Sequence, residues 1–206
     1  MRIAIVAATQ QEMIAPEQLQ SWHQHQLEFH VLGIGLVAAT FHLTKIAMSK
    51  PDLIIMIGIA GSYSNELEIG DVVFVRSESI GDLGVENNQE WIDFSQLNID
   101  QGLYNFINPL NNTFGCKEVK GISVNTCAGN LTTIAQRIKS FQPDIETMEG
   151  AALHYVCLET QVPFIQLRGI SNKVEIRNKE NWKIPVAIQH CHQTLNLILS
   201  QLILET

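Results

Sequence analysis

The stretch FIQLRGISNKVE, residues 164–175, is a continuous apolar run that ends in a polar Ser–Asn pair. A run that is apolar on both faces is typical of a strand in a sheet that is covered on both sides. Similar runs occupy residues 3–8, 53–59 and 72–75. We therefore predict a largely parallel sheet with both faces buried.

Helical patterns separate these runs. They cover residues 37–48, 130–140, 149–159 and 183–204. Strands that alternate with helices predict an α/β fold with helices on both faces of the sheet. A chain of 206 residues is long enough to bury a sizeable core as one domain, although two small domains stay possible.

The composition argues against several classes of protein. Hydrophobic residues make up 46% of the chain and charged residues 17%, which is ordinary for a globular protein. The net charge of −8 argues against nucleic-acid binding, because phosphate contacts need a basic face. The N-terminal apolar run is much shorter than the ~20 residues of a membrane-spanning helix, so we expect no membrane association.

The four cysteines form no CxxC pair. They are Cys116, Cys127, Cys157 and Cys191. Such spacing is typical of reduced thiols in a cytoplasmic protein, although a zinc site is an alternative. The histidines show no ligand spacing, since His190 and His192 face different sides of the predicted last helix. We therefore expect a cytoplasmic protein without a bound metal.

The segments that follow the predicted strands are the candidate site, because ligands of such sheets bind beyond the carboxyl ends of the strands. Glu12 follows the first strand and Glu149 begins a predicted helix. Each is either a functional carboxylate or a first-turn glutamate that the helix dipole favours. Arg168 lies inside an apolar run and should pair with one of these two acids.

Two glycine-containing segments also border predicted strands. Residues 58–62, GIAGS, either let a ligand approach the backbone or form a turn with a glycine at positive φ. Residues 33–35, GIG, with Ala38 at the next small position, match the start of a dinucleotide-binding fingerprint. The preceding strand is not the first, and no acidic residue follows at the required position in a clean βαβ context, so a tight turn into a helix is the preferred interpretation.

Five motifs become specific when they are taken together and in order. They are MRIAIVAATQQEM (1–13), GIGLVAA (33–39), GIAGSYSNELEIGDVV (58–73), TMEGAA (147–152) and RGISN (168–172). Together they resemble the nucleoside phosphorylase/nucleosidase superfamily, especially the methylthioadenosine/S-adenosylhomocysteine nucleosidases. The resemblance implies one domain, residues 1–206, built as a three-layer α/β/α sandwich around a mixed sheet.

The resemblance also implies catalytic residues at matching positions. Glu12 matches the carboxylate that activates the attacking water. Ser171 and Asn172 match the pair that faces the purine, in which the serine supports its neighbour. No metal or organic cofactor is implied. The implied partner is a small nucleoside, and the relatives form homodimers whose subunits complete each other's pockets.

The substrate-binding residues implied by the resemblance surround the sugar and the base. Met148 and Glu149 match the pair that contacts ribose, where the glutamate accepts hydrogen bonds from the sugar hydroxyls. Ala60 and Gly61 match the loop beside the sugar. Residues 123–128 match the segment that flanks the base. Met148 alone is equally explained as a core residue.

Hydrolysis is predicted in preference to phosphorolysis. Phosphorylases of the superfamily place a Gly-Asp-Pro turn after the first strand and supply arginines for the phosphate dianion. This chain has TQQE at residues 9–12. A carboxylate at that place repels phosphate but suits water as the nucleophile.

Asn172 departs from the adenine-specific nucleosidases, which place an aspartate there. An amide cannot supply a proton as a general acid, but it can donate an N–H to O6 or N7 of a 6-oxopurine. Asn172 and the segments at residues 81–86 and 171–188 together resemble the futalosine hydrolases of an alternative menaquinone pathway. A methylthioadenosine nucleosidase, a purine nucleoside phosphorylase and a non-catalytic nucleoside-binding protein are the alternatives.

The resemblance to futalosine hydrolases implies a 5′ substituent that carries a carboxyphenyl ketone. Arg177 either clamps this carboxylate or forms an ion pair with Glu175 or Glu180, and the ion pair is slightly preferred. Trp91 and Phe94, in an irregular polar stretch, are either aromatic contacts of the substituent or, by preference, ordinary core residues.

Overall fold

The computed structural model describes residues 1–19, 25–88, 90–93 and 105–202. The strands are β1 (Arg2–Ala7), β2 (Gln26–Val31), β3 (Leu53–Met56), β4 (Ile59–Ser62), β5 (Val72–Ile80), β6 (Gly84–Asn87), β7 (Glu90–Asp93), β8 (Asn105–Ile107), β9 (Lys117–Ser123), β10 (Ile145–Thr147) and β11 (Phe164–Lys173). The α-helices are α1 (Leu36–Met48), α2 (Leu131–Phe141), α3 (Gly150–Thr160) and α4 (Ile184–Gln201). Short 3-10 helices cover Pro16–Gln18 and Lys179–Asn181. The four α-helices lie where the sequence predicts them.

A nine-stranded sheet lies at the centre, in the order β2-β1-β3-β11-β4-β10-β9-β5-β8. The strands β2, β1, β3 and the first part of β11 run parallel. In contrast, β4 pairs antiparallel with β10, and β5 pairs antiparallel with β11 and β8. Six of the nine described pairings in this sheet are parallel and three are antiparallel. The sheet is therefore mixed but largely parallel, as predicted, and its flanking helices confirm the three-layer α/β/α sandwich.

Alternate residues of the central strands bury opposite faces of this sheet, because successive strand side chains point in opposite directions. On one face, Ile3 and Ile5 of β1 belong to a core cluster with Leu195 and Leu199 of α4. On the other face, the intervening residues of β1 belong to a cluster with α1 and α3. Burial on both faces explains why the strands read as continuous apolar runs.

The predicted strand at residues 53–59 is two strands rather than one. β3 ends before residues 57–58 and β4 begins after them, and both strands pair with β11. At Gly58 the side chains of Glu12 and Arg168 occupy the space in which a Cβ would lie. The prediction of one strand is wrong because this packing of distant side chains interrupts the strand inside an apolar run.

β11 extends beyond the apolar run that predicted it. Ser171 and Asn172 lie inside the strand rather than after its end. Where β11 pairs with β4, the register shifts between Ile170 and Asn172. Irregularities of this kind re-aim side chains at functional sites, and here the two polar residues face a cavity.

The stretch at residues 84–113 contains more regular structure than its sequence predicts. β6 and β7 form a hairpin, and β8 extends the edge of the main sheet. The Trp91 ring packs against Gly84 across the hairpin, whereas Phe94 lies outside the described residues. In the described ranges, no helix combines the length and apolar character that a membrane crossing requires.

Candidate active site

The seven predicted site residues line one cavity of about 240 Å³. They are Glu12, Ala60, Gly61, Met148, Glu149, Ser171 and Asn172. The cavity lies where β1 and β10 end and where β4 and β11 pass each other. Segments far apart in the sequence therefore meet at one place, as the carboxyl-end rule predicts. What each residue does there stays a prediction.

The Glu12 carboxylate is held by three hydrogen-bond donors. One oxygen accepts from the hydroxyl and the amide of Thr9, at 2.8 and 3.1 Å, and the other accepts from the Ile59 amide at 3.1 Å. The His192 imidazole Nε2 donates to the Glu12 carbonyl at 2.8 Å. Glu12 lies in a turn and not in the first turn of a helix, so that alternative is wrong. His192 and Thr9 were not identified from the sequence.

The Glu149 carboxylate faces away from the helix that it begins. Glu149 is the N-cap of α3, but its side chain makes no cap hydrogen bond. One carboxylate oxygen instead accepts from the Gly35 amide at 3.0 Å. Burial raises the pKa of this carboxyl, while the nearby Arg168 cation and the Gly35 amide oppose the rise.

The turn that supplies the Gly35 amide has two glycines at positive φ. Gly33 has a φ of 86° and Gly35 a φ of 89°, values that residues with side chains rarely adopt. Helix α1 begins directly after this turn. The preferred interpretation, a tight turn into a helix, is confirmed. Residues 58–62, in contrast, belong largely to β4 and contain no glycine at positive φ, so the alternative of a turn with such a glycine is wrong.

The Asn172 amide is fixed by its two neighbours in the strand. The Ser171 hydroxyl donates to Asn172 Oδ1 at 2.8 Å, and Asn172 Nδ2 donates to the Lys173 carbonyl at 2.8 Å. Since Nδ2 carries two hydrogens, one N–H remains for a ligand in the cavity. Asn172 Nδ2 also lies close to Gly61, where a Cβ would come within 3.2 Å of it.

Arg168 is buried but forms no ion pair within 4.0 Å with an acid in the described part of the chain. Its Nη2 instead donates to Met56 Sδ at 2.9 Å. The expected pairing with Glu12 or Glu149 is therefore wrong. The cation still acts through space, because it lowers the pKa of the Glu149 carboxyl. The close packing of Arg168 against Gly58 explains its position.

A third buried carboxylate, Glu146, organises the wall that flanks the cavity. Its Oε2 is 2.7 Å from Arg137 Nη1 and accepts from the Tyr63 hydroxyl at 2.6 Å. Its Oε1 accepts from the Ala128 amide at 2.9 Å. Burial and the Glu146 charge raise the pKa of Tyr63. The sequence signal for this cluster is a glutamate within a short buried strand, and Glu146 is not among the residues predicted from the sequence.

Arg177 and Trp182 form the outer part of the cavity wall. The Arg177 guanidinium lies 5.3 Å from the centre of the Trp182 ring. Glu175, one expected partner, accepts a hydrogen bond from Asn181 instead, at 2.6 Å. Among the described residues Arg177 has no acid within ion-pair distance, so the preferred prediction of an ion pair with Glu175 or Glu180 is wrong.

Glu78 is completely buried and contacts Thr147, which lines the cavity. Its carboxyl accepts hydrogen bonds from Gln166 Nε2 at 2.9 Å, from the Ser123 hydroxyl at 3.0 Å and from the Thr147 hydroxyl at 3.2 Å. Burial nevertheless raises its pKa from 4.5 to about 7, although these donors and Arg168 oppose the rise.

This raised pKa predicts that stability falls as the pH rises through 7. The folded protein keeps a proton on Glu78 that the unfolded chain releases above pH 4.5. The resulting stabilisation is complete below that value and is lost above the folded pKa. For a shift of this size the loss amounts to about 3 kcal/mol.

Urea unfolding at pH 5 and pH 8 measures this effect in the wild type and in Glu78→Gln. The wild type should lose about 3 kcal/mol more than the variant between the two pH values. Other titrating groups, among them the buried His154, affect both proteins and cancel in the comparison. Equal losses in the two proteins would contradict the prediction.

The chain has a nucleoside phosphorylase-like fold with buried carboxylates facing one cavity, and the relatives described below are named as a hydrolase and a nucleosidase, which are N-glycosyl hydrolases. The chain belongs to the Phosphorylase superfamily, whose family model matches residues 24–203. No group of three or more His, Cys, Asp or Glu side chains in the described ranges is arranged to hold a metal ion.

Curated relatives with two activities are similar to the chain. The futalosine hydrolase of Thermus thermophilus is 25% identical over 178 residues, which are 82% of this chain and 79% of that protein. The 5′-methylthioadenosine/S-adenosylhomocysteine nucleosidase of Buchnera aphidicola is 28% identical over 184 residues, 83% of this chain and 78% of that protein. The family therefore does not by itself select a substrate.

Solved structures of both kinds of enzyme, futalosine hydrolases and methylthioadenosine/S-adenosylhomocysteine nucleosidases, have the same fold as this chain. A futalosine hydrolase mutant of Helicobacter pylori has a TM-score of 0.80 at 17% identity, covering 98% of this chain and 99% of that one. A methylthioadenosine nucleosidase of Helicobacter pylori has a TM-score of 0.81 at 16% identity, covering 98% of both chains. At these identities the likeness establishes the fold alone.

Proposed function

We propose that this enzyme hydrolyses the N-glycosidic bond of a 6-oxopurine nucleoside with a carboxylated aromatic group at its 5′ position. Futalosine is the specific substrate proposed, with hypoxanthine and dehypoxanthine futalosine as the products of a step in menaquinone biosynthesis. The observation that carries the proposal is the Asn172 amide, which keeps one N–H for a ligand while Ser171 holds its oxygen.

The orientation of the Asn172 amide supports a 6-oxopurine leaving group. Asn172 Oδ1 accepts from the Ser171 hydroxyl and Nδ2 keeps one free N–H, and in our proposal this N–H faces the base. A 6-oxopurine has acceptors at O6 and N7, and the departing hypoxanthine anion spreads its charge over those atoms. A fixed donor aimed at developing charge stabilises the transition state. A 6-amino group would instead meet a second donor.

In the proposed reaction, Glu149, Asn172 and Glu12 each have a separate role. The C1′–N9 bond lengthens and leaves an oxocarbenium-like ribose, as in glycoside hydrolysis generally. Glu149 accepts hydrogen bonds from the sugar hydroxyls and orders the ring. Asn172 receives the charge of the departing base. Glu12 removes a proton from water as the water oxygen bonds to C1′.

The electrostatics of the cavity support water rather than phosphate as the nucleophile. Glu12 and Glu149, which have no ion-pair partner among the described residues, both line it, and they would repel a phosphate dianion. Incubation with a nucleoside, with and without phosphate, tests this choice. We expect free sugar at the same rate in both cases. A sugar 1-phosphate, formed only when phosphate is present, would identify a phosphorylase.

The outer wall of the cavity supports a carboxylated aromatic substituent. Arg177 lacks an acid partner among the described residues and stacks on Trp182. A guanidinium can bind a carboxylate through two parallel hydrogen bonds, and an indole can stack on an aromatic ring. We therefore propose these two residues as contacts of the 5′ substituent.

Substitution of Arg177 by glutamine tests this contact. The KM for futalosine should rise about 10–100-fold, because a charge-assisted hydrogen bond is lost. The KM for inosine, which lacks the carboxylate, should stay unchanged. Lys179→Gln removes a nearby positive charge that does not line the cavity and is the control. An equal rise in KM for both nucleosides would contradict the contact.

A homodimer is the proposed assembly. Ile34, Val37, Phe41 and Met48 expose a stripe of apolar side chains along α1, and Val37 is 85% and Met48 74% exposed. A contiguous exposed apolar surface of this kind marks an interaction site. Ile34 also lines the cavity, so a second copy seated on this stripe would lie beside the active site.

Val37→Asp should disrupt this dimer. A carboxylate buried in an apolar interface is strongly unfavourable, so we expect sedimentation analysis to show a monomer for the variant and a dimer for the wild type. Gln193→Asp places the same charge on an exposed position of α4 and is the control. A wild-type monomer, or a dimer that survives Val37→Asp, would contradict the proposed interface.

The cytoplasm is the proposed location. All four cysteines are free, and free thiols persist in a reducing compartment. Burial raises the pKa of Cys157 to about 12 and that of Cys191 to about 11. These two thiols are therefore neutral and unreactive at physiological pH.

A further inference from the structure

The first turn of α3 is capped by side chains from two strands, β9 and β10. The Gly150 amide donates to the Thr147 hydroxyl oxygen at 3.3 Å, and the Ala151 amide donates to the Ser123 hydroxyl oxygen at 2.8 Å. The N-cap residue Glu149 makes no such bond. Side-chain oxygens normally satisfy these free amides from the N-cap position itself, so this helix start is unusual.

Both capping hydroxyls also form hydrogen bonds with the Glu78 carboxyl. A hydroxyl has one hydrogen to donate, and each of these two accepts from a helix amide. Ser123 Oγ is 3.0 Å from Glu78 Oε2, and Thr147 Oγ1 is 3.2 Å from Glu78 Oε1. The two hydroxyls also lie 2.9 Å apart. The helix amides are thus linked to the Glu78 carboxyl through one layer of hydroxyl groups.

The Glu78 carboxyl is closely packed on several sides. A Cβ at Gly150 would overlap Glu78 Oε1, and a Cβ at Gly121 would lie 2.7 Å from the same atom. Gln166 Nε2 donates to Oε1 from β11 at 2.9 Å. The carboxyl is therefore enclosed by β9, β10, β11 and the first residue of α3.

We propose that Glu78 is a positioning residue for the sugar-binding carboxylate. It completes the cap of α3 through Ser123 and Thr147. Glu149 is thereby released from capping its own helix, and its carboxylate faces the cavity and the Gly35 amide instead. This proposal rests on the proposed function only for the role of Glu149 toward ribose.

The charged and titratable groups around Glu78 are compatible with this role. From β11, Arg168 acts on it through space. From α3, the buried His154 lies beside Gln166, and burial lowers its pKa to about 3, so that it is neutral. Glu149, at the start of α3, accepts a hydrogen bond from the Gly35 amide with its carboxylate and does not contact Glu78 through a described hydrogen bond. The described donors to Glu78 itself are all uncharged.

Amide hydrogen exchange tests the cap without any substrate. In Glu78→Gln the amide group cannot accept from all three donors, so the Gly150 and Ala151 amides should exchange at least about tenfold faster. The amides of Leu195 and Ile198 in α4 should keep their wild-type rates. Glu118→Gln, which changes an exposed carboxylate on β9, is the control and should change neither set. Unchanged exchange at Gly150 and Ala151 would overturn the proposal.

Ser123→Ala keeps the test decisive even where Glu78→Gln does not fold. This variant removes a single link, so exchange should accelerate at Ala151 and much less at Gly150. Equal acceleration at both amides and in α4 would indicate general destabilisation and would overturn the proposal.

A double-mutant cycle on kcat/KM then connects the cap to catalysis. We expect Glu78→Gln and Ser123→Ala each to lower kcat/KM for futalosine about tenfold, and the double variant to lose little more than either one, since residues in one network are not additive. Losses that multiply would overturn the proposed route through Ser123. A wild type that cleaves no nucleoside would refute the proposed function, while the exchange rates would still decide the cap.

Discussion

Substitution of Glu12 by glutamine should lower kcat by ~10²–10⁴-fold, the usual contribution of a general base. Glutamine preserves the size of the side chain but cannot take a proton from the attacking water. The Glu12 carboxylate is held in place by donors from Thr9 and Ile59. Steady-state release of free base measures the effect.

The loss should appear mainly in kcat, because Glu12 acts on water rather than on the bound nucleoside. Glu17→Gln, an exposed change in the neighbouring 3-10 helix, is the matched control and should retain full activity. Circular dichroism and thermal unfolding establish that both variants fold. A folded Glu12→Gln enzyme with wild-type kcat would remove Glu12 from the reaction.

Asn172→Asp should reverse the preference between purines. An aspartate carboxylate at this place would repel O6 of a 6-oxopurine, and it would accept from the 6-amino group of an adenine nucleoside. We expect kcat/KM for futalosine to fall by ~10²–10³-fold, equivalent to about 3–4 kcal/mol for one well-placed donor. The kcat/KM for methylthioadenosine should rise.

Asn172→Ala separates recognition of the base from general damage to the site. It removes both donor and acceptor, so kcat/KM for futalosine should fall without any gain on methylthioadenosine. The Ser171 hydroxyl, which donates to Asn172 Oδ1 at 2.8 Å, can donate equally to an aspartate carboxylate, so Asn172→Asp keeps this support. An unchanged substrate preference in Asn172→Asp would contradict the assignment of Asn172 to the base.

Local patterns predicted the elements of the fold and the residues of its cavity. Periodicity located all four α-helices, and the rule on strand ends directed attention to Glu12 and Glu149. The ordered motifs added Ser171 and Asn172. The helix positions are predictable because each depends on a few neighbouring residues, and the positions of Glu12 and Glu149 because parallel strands bring their ends to one edge of a sheet. Ser171 and Asn172 are implied by the family resemblance, and the roles of all the site residues stay predictions.

The contacts that the sequence did not predict join residues that are far apart in the chain. Gln166 and Glu78 are 88 positions apart, and His192 and Glu12 are 180 positions apart. Arg168 shows the same limit: a buried cation suggested an acid partner, but the folded chain gives it the Met56 sulfur. Such pairings depend on strand order and register, which no local pattern encodes.

The division of β3 from β4 has a similar origin. Residues 53–59 read as one apolar strand, and no residue type other than Gly58 indicates a break. The break depends on the Glu12 and Arg168 side chains, which approach Gly58 from two distant segments. The same apolar composition is compatible with one strand or two, so only the three-dimensional arrangement distinguishes them.

A product assay on futalosine, inosine and methylthioadenosine, side by side and without phosphate, tests the central claim most directly. Free hypoxanthine and free adenine are quantified from the three reactions with the same enzyme preparation. We expect hypoxanthine from futalosine, with a kcat/KM at least ~10²-fold above that for adenine release from methylthioadenosine. Rapid cleavage of methylthioadenosine, with futalosine and inosine left intact, would contradict it.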